Sequence, residues 1–432
     1  MAKLRFYDLT ISTVRADTAS SVELSFEIPA ALASEFVFEP GQYLTLRAMV
    51  DGQDLRRSYS ICSALGAPQI SVGIKKIEGG AFSSFALSLK PGDVLQVMPP
   101  QGRFTAPIGG RHNYLLLAVG SGVTPIKSIA QSVLAGEADS TVTLCYANRN
   151  TESIMFRQAF DDLKDRYLTR FLMTHVMDEE AQDVALFNGR MDAEKLSTMA
   201  TRGLISPIEY DAIYICGPQP MITAASEALT VLGVPPERIK FELFTPSSPL
   251  PIAGAAQKTS ATRGARVEVV LDGARRGFAM EAGDMLLDAA SQSGLELPYS
   301  CANGMCATCR CKLSQGEGEM AQNFSLEPWE IEQGYVLACQ FKPRSDLVVL
   351  DFDAVYDAVL PRFSPLTCRG QKSLETNPRA TSGLAASHDR GRVERLDQGA
   401  PHSARHRPQA AKRRPGGAGD CHFHAPRAEC QS

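Results

Sequence analysis

Up to about residue 107 the chain carries short runs in which apolar and polar positions alternate: LRFYDLTISTVR, SVELSFEI, QYLTLRAMV and QISVGIKKI. Period-two alternation sends one face of a strand to a core and the other to solvent. Pro40-Gly41, Pro91-Gly92 and Pro99-Pro100 punctuate the runs. The pattern predicts an antiparallel β-barrel over residues 1–108. From Tyr114 the pattern changes. YLLLAV, TVTLCYA, RFLMTHV, AIYIC and IKFELF are continuous apolar runs, and helical segments lie between them at 125–134, 156–167 and 221–232. Buried strands separated by crossover helices predict a parallel, doubly wound α/β sheet over residues 109–244.

Residues 245–262, TPSSPLPIAGAAQKTSAT, are aperiodic and rich in Pro, Ser and Ala, which predicts a linker. A small β-rich domain follows over 263–354, with RVEVVLDG and RRGFAME as strands, a short helix near 286–293 and a closing strand in DLVVLDFDA. The last 78 residues, 355–432, differ in kind. They hold 13 Lys and Arg against 7 Asp and Glu, five of the seven histidines, and no hydrophobic period. Disorder is the expected state of such a segment. His388, His402, His406, His422 and His424 with Cys421 and Cys430 could form a metal-binding tail, but an extension without selected structure is the favoured reading.

Length and charge narrow the function. A chain of 432 residues suits about two to four domains, each with its own core. With 44 basic against 48 acidic side chains, nothing favours a polyanionic partner. No run of about 18 apolar residues predicts a membrane span. MAKLRFYDLT lacks the apolar stretch of a signal peptide. Eleven cysteines without an export signal predict a cytoplasmic protein whose thiols are ligands or buried hydrophobes.

Four of those cysteines carry the strongest chemical signal. Cys301, Cys306 and Cys309 lie in CANGMCATC, and Cys339 in VLACQ. The spacing is C-x4-C-x2-C, then 29 residues, then C, which is the plant-type [2Fe–2S] arrangement. Small residues between the ligands let a tight loop turn its backbone N–H groups onto sulfur. A structural zinc site would carry compact cysteine pairs on both sides, and here only one arm is compact. Cys311 is a fifth thiol beside a full ligand set and is read as a spectator.

The remaining signals concern a flavin and a nucleotide. Arg57-Ser58-Tyr59-Ser60 follows a barrel strand: a guanidinium can neutralise a pyrophosphate, and a phenol can cover a ring face. Gly80-Ala81-Phe82-Ser83 opens a helix whose free N–H groups suit a phosphate. Gly120-Ser121-Gly122-Val123-Thr124-Pro125 joins an apolar strand to a helix, the context for backbone contact with a dinucleotide. Cys216-Gly217-Pro218 ends a later strand of that sheet. Each motif alone is weak; their order is informative.

Together with Glu242-Leu243-Phe244, these motifs resemble the ferredoxin–NADP reductase family. The runs LRRSYSICS, VGIKKIEGGAFSSFA, YANRNTESIMFRQAFDDLKDRY, CANGMCATCRCKL and NFSLEPWEIEQGYVLACQ resemble, within it, the reductase subunits of phenylacetyl-CoA epoxidase complexes over residues 1–354. The resemblance implies an FAD-binding barrel, an NAD(P)-binding domain and a β-grasp ferredoxin domain. It implies that Arg57 pairs with the FAD pyrophosphate, Tyr59 stacks on the flavin and Ser60 lies near N5. Gly80 and Ser83 would hold the pyrophosphate, and Phe244 would cover the other flavin face. Cys216 and Glu242 would line the hydride-transfer pocket with Ser60. Gly120, Gly122, Thr124, Pro125, Gly217 and Pro218 would carry the pyridine nucleotide.

At the end of the second sheet strand stands Arg149 where an acidic residue would select NADH, so NADPH is the expected nucleotide. The implied activity converts a hydride into single electrons, passed through FAD and [2Fe–2S] to a diiron oxygenase that epoxidises phenylacetyl-CoA. The loop 302–308 is the expected docking surface for that oxygenase. The alternatives are an NADH-dependent reductase of a Rieske-type or other diiron oxygenase, or a redox-sensing module.

Overall fold

The structure is a computed structural model that describes residues 5–244 and 264–354. The expected linker 245–262 and tail 355–432 lie outside the described residues. The first module contains β1 (Tyr7–Thr18), β2 (Ser21–Phe26), β3 (Tyr43–Val50), β4 (Gln53–Ser60), β5 (Ile70–Lys75), α1 (Ala81–Ala86) and β6 (Val94–Gln101). The strands form one antiparallel sheet in the order β4-β3-β6-β1-β2-β5. It curls until Ile61, just past β4, bridges Val72 of β5, closing the expected barrel. Leu9, Ile11, Leu24, Leu44, Leu46 and Val97 fill its interior, as the alternation requires.

Pro99-Pro100 departs from expectation by lying inside β6 rather than between strands. The prolines are tolerated because pairing with β1 stops at Val97, and the ladder to β3 has a register shift between Tyr43 and Thr45.

The second module contains β7 (Asn113–Val119), α2 (Val123–Gly136), β8 (Thr141–Asn148), α3 (Arg157–Arg166), β9 (Phe171–Met177), α4 (Ala193–Thr201), β10 (Ala212–Gly217), α5 (Gln219–Val231) and β11 (Ile239–Leu243). All five strands are parallel, in the order β11-β10-β7-β8-β9. Alternate residues of β7 serve opposite layers. Tyr114 and Leu116 pack with α2 and α3, while Leu115 and Leu117 pack with α4 and α5. The order reverses between β7 and β10, and such a switch point leaves a crevice at the strands' carboxyl ends.

The third module contains β12 (Ala265–Leu271), β13 (Ala274–Met280), α6 (Leu286–Gln292), β14 (Arg310–Gln315), β15 (Gly318–Met320), α7 (Pro328–Glu332), β16 (Tyr335–Leu337), β17 (Phe341–Pro343) and β18 (Leu347–Asp351). Its mixed sheet runs β13-β12-β18-β14-β16, with α6 packed against β13 and the cysteine loop entering β14.

Polar side chains join the modules. Lys127 of α2 donates to Glu23 of β2 at 3.3 Å and to the Cys62 carbonyl at 3.0 Å. Gly73 of β5 lies against Phe156 and Thr124, and a Cβ there would come within 2.6 Å of the Phe156 ring. The third module meets the barrel through Arg56 with Glu296, Ser58 with Ser300 at 2.6 Å, and Arg103 with Glu330 at 2.6 Å.

Candidate functional site

A cavity of about 450 Å³ opens where the three modules meet. Its barrel wall is the end of β4, which presents Arg57, Tyr59 and Ser60, together with Gly80 and Ser83 at the start of α1. Gly80 is the N-cap of α1, and the Ser83 hydroxyl holds the turn by donating to the Gly80 carbonyl at 3.1 Å while accepting from Ile77 N–H at 3.1 Å. Arg57 donates to the neighbouring Arg56 carbonyl at 2.7 Å, which steadies its guanidinium at the cavity edge. Burial pushes the Tyr59 phenol far above its ordinary range, so it stays neutral.

The opposite wall comes from the end of β11. Ser60 Oγ donates to Glu242 Oε2 at 3.2 Å. Burial raises the Glu242 carboxyl to about 8, with the Ser60 bond opposing and Cys306 adding to the rise. Phe244 lines the same cavity, fixed by its backbone N–H donating to the Gly217 carbonyl at 3.0 Å. Cys216 lies behind this wall: it is fully buried, and burial holds its thiol well above the ordinary value.

The glycine turn sits at the switch point. Gly120 has φ +55°, and a Cβ on Gly122 would lie 2.3 Å from the Cys216 carbonyl oxygen, so the turn and β10 approach backbone to backbone. Thr124 and Pro125 begin α2 and are buried. The Thr124 hydroxyl donates to the Ser121 carbonyl at 3.0 Å, and its methyl faces Gly73. Gly217 packs under Met221 and Val119, while Pro218 is exposed as the N-cap of α5. Arg149 is exposed at the end of β8 and lines the cavity with Lys75, whose ammonium is lowered by burial and then by Arg149.

Cys301, Cys306 and Cys309 project from the loop before β14, and Cys339 from the turn after β16. Cys301 and Cys306 lie within hydrogen-bond reach of each other, as do Cys309 and Cys339. Among the described residues no three His, Cys, Asp or Glu converge on a single metal ion. Two pairs of thiols instead suit two irons with two cysteines each. Backbone N–H groups point at sulfur: Asn303 and Met305 at Cys301, both at 3.4 Å, Cys301 at Cys306 at 3.4 Å, and Cys339 at Cys309 at 3.5 Å. That inward turn requires positive φ at Ala302, Gly304 and Ala307. For the two alanines this costs roughly 1–3 kcal/mol each, sustained by the surrounding contacts. The donor set and its N–H cage fit a [2Fe–2S] cluster. Cys311 is buried on β14, its thiol 3.9 Å from the Val336 carbonyl.

The structure brings Arg57, Tyr59, Ser60, Gly80, Ser83, Arg149, Glu242, Phe244, Cys301 and Cys306 to one cavity. Cys309 and Cys339 are buried and do not line the cavity. Two cavity residues, Lys75 and Tyr43, and one outside its lining, Glu180, escape sequence reasoning. Lys75 ends an ordinary strand. Glu180 accepts from Thr151 N–H at 2.6 Å and its hydroxyl at 2.7 Å, which lowers its carboxyl. Tyr43 of β3 reaches the cysteine loop, donating to the Cys306 carbonyl and lying 2.9 Å from Thr308 Oγ1. Its partners are more than 260 residues away, and no local pattern signals them.

Three family models match the chain: an oxidoreductase FAD-binding domain over 9–106, an oxidoreductase NAD-binding domain over 116–227 and a 2Fe-2S iron-sulfur cluster binding domain over 269–344. One component of the 1,2-phenylacetyl-CoA epoxidase of Escherichia coli is 43% identical over 356 residues, covering 81% of this chain and 98% of that protein. The ferredoxin reductase component of 3-ketosteroid-9-alpha-monooxygenase from Rhodococcus rhodochrous is 33% identical, covering 80% and 96%. Phthalate dioxygenase reductase shares the fold at a TM-score of 0.50 and 23% identity, covering 80% of this chain and 98% of that one. An intact type IV self-sufficient cytochrome P450 monooxygenase does so at 0.57 and 19%, covering 80% and 41%. Among the described residues no helix is long and apolar enough to cross a membrane. The chain belongs to the ferredoxin–NADP reductase-type oxygenase reductases that join FAD-binding and NAD-binding domains to a C-terminal [2Fe–2S] domain, and it is an oxidoreductase that transfers electrons to an oxygenase.

Proposed function

We propose that this protein is the NADPH-dependent reductase of a diiron oxygenase that epoxidises phenylacetyl-CoA in the cytoplasm. The observation that carries the reading is the single cavity bounded by Ser60 and Glu242 on one side and by Cys301 and Cys306 on the other. This cavity would hold FAD, which supplies hydride-to-single-electron chemistry, and Cys301, Cys306, Cys309 and Cys339 would hold a [2Fe–2S] cluster suited to carrying the electrons singly.

The residues divide the work. Arg57, Gly80 and Ser83 hold the pyrophosphate end of the flavin, and Tyr59 and Phe244 bracket its ring system. Ser60 and Glu242 sit where a proton is held beside the hydride acceptor, and Cys216 backs the nicotinamide pocket from behind. Gly120, Gly122, Gly217 and Pro218 shape the crevice for the pyridine nucleotide, while Thr124 and Pro125 fix the start of α2. The positive charge of Arg149 beside Lys75 favours a 2′-phosphate and hence NADPH.

The substrate assignment follows the 43% identity to the epoxidase component. Reconstitution with the catalytic subunits of a phenylacetyl-CoA epoxidase tests it. NADPH-driven consumption of phenylacetyl-CoA supports the reading. Reduction of artificial acceptors without epoxide formation points to another oxygenase.

A further inference from the structure

Tyr43 lines the flavin cavity beside the cysteine loop; it is 4% exposed and sits on β3 opposite Ser60 of β4. The same rung of the barrel therefore carries Ser60, bonded to Glu242, and Tyr43, bonded to the cysteine loop. The Tyr43 hydroxyl has one proton, donated to the Cys306 carbonyl, so the 2.9 Å contact with Thr308 runs from the threonine to the tyrosine. Both hydrogen bonds end on residues flanking or forming the ligand run, one on Cys306 itself and one beside Cys309. The ring is packed as well as bonded, since a Cβ on Gly102 would stand 3.0 Å from Tyr43 Cδ1. Tyr43, Cys301, Met305 and Cys306 all line the same cavity.

The geometry points to Tyr43 as a positioning residue for intramolecular electron transfer: its hydroxyl clamps the cluster loop against the flavin cavity at a fixed separation. The inference rests on the proposed flavin and cluster occupancy. Of the two electrons a nicotinamide hydride would leave on bound flavin, one would cross this junction to a cluster held by the four cysteines, reducing one ferric iron to ferrous, and the second would follow once the first had passed to the oxygenase. Tunnelling rates fall steeply with distance, so a loop held at two further points by one phenol has a faster and narrower distribution of rates than the same loop without those two bonds. Among the other junction contacts, Ser58 meets Ser300, the residue before Cys301, at 2.6 Å, and the remaining ones fall on residues outside the ligand run. Arg56 reaches Glu296, and Arg103 reaches Ser325 and Glu330.

The test uses the full-length holoprotein with Tyr43→Phe, Thr308→Val and the double variant. Stopped-flow absorbance separates flavin bleaching by NADPH from the later bleaching of the cluster. Loss of one neutral hydrogen bond corresponds to about a fivefold change. Tyr43→Phe is expected to slow the cluster phase at least about fivefold and to leave the flavin phase unchanged. The double variant is expected to be no slower than Tyr43→Phe alone, because that substitution already removes both hydrogen bonds, the one from Thr308 included. Hydrogen exchange of the flavin- and cluster-loaded protein, without turnover, is expected to rise over 301–309 in Tyr43→Phe and to stay unchanged over β12 and β18. An unchanged cluster phase overturns the proposal. So does equal slowing of both phases, which would make the hydroxyl a support of the whole cavity. Multiplicative slowing in the double variant also overturns it. If the wild-type protein itself shows no NADPH-driven cluster phase, the functional reading fails rather than the role of Tyr43.

Discussion

Ser60 and Glu242 meet at 3.2 Å across the junction of the barrel and the nucleotide sheet, although 182 residues separate them. The bond closes the cavity between the two modules and leaves a buried carboxyl facing it.

That carboxyl makes stability depend on pH. In the unfolded chain it ionises near its ordinary value of 4.5, whereas in the fold it keeps its proton to about 8. The folded form therefore binds the extra proton between these values, and Glu242 makes the protein less stable as pH rises from 4.5 to 8. Glu242→Gln keeps an acceptor for Ser60 and removes the ionisation. Thermal melts of the variant and the wild type from pH 5 to 9 are expected to differ in slope across that window. Equal slopes would show that Glu242 titrates normally.

Gly122→Ala tests the close approach at the switch point. The new methyl would lie 2.3 Å from the Cys216 carbonyl oxygen, a backbone atom that cannot rotate away. Strain of about 1–3 kcal/mol is expected, together with weaker nucleotide binding. Calorimetric melting and titration with NADP⁺ measure the two effects.

Glu330 is completely buried, and Arg103 of the barrel and Arg310 of β14 both bind it. Arg103→Ala removes the contact that crosses between modules and also the bond to the Ser325 carbonyl. A loss of about 1–3 kcal/mol is expected for bonds to a charged group. Faster hydrogen exchange over 321–331, with an unchanged nucleotide sheet, would locate the loss at the junction.

The fifth cysteine of the third module separates ligand from spectator. Cys339→Ala is expected to abolish the cluster absorbance and the bound iron while flavin remains. Cys311→Ala is expected to keep the iron and lose about 1 kcal/mol of stability through a small core void. Iron analysis and visible spectra of the two variants decide between them.

The parts legible in the sequence are those whose partners are close in the chain or repeat with a period. Cys301, Cys306 and Cys309 are spaced for one loop, so their chemistry is readable without a fold. The apolar runs of β7, β8 and β10 are largely buried on both faces and announce a parallel sheet. Helix α4 escapes because AEKLSTMAT buries only Leu196 and Met199, too few positions to set a helical period. Pro99 and Pro100 read as a break because the bulge that accommodates them depends on pairing with Tyr43, more than 50 residues away. What sequence does not reveal about the loop 302–308 is that Met305 and Cys306 line the cavity and that Tyr43 bonds the loop to the barrel, a relation set by packing between modules. Phe324, Trp329 and Ile331 are partly exposed on the segment that bonds to Gly304, so this flank of the loop faces outward.

The central claim is that electrons from a pyridine nucleotide reach the four cysteines through the shared cavity. Anaerobic titration of the purified protein with NADPH, then with NADH, followed by visible absorbance and electron paramagnetic resonance, tests it most directly. The account predicts flavin bleaching together with the paramagnetic signal of a reduced [2Fe–2S] cluster, at lower NADPH than NADH concentration. Flavin bleaching with no cluster signal would contradict it.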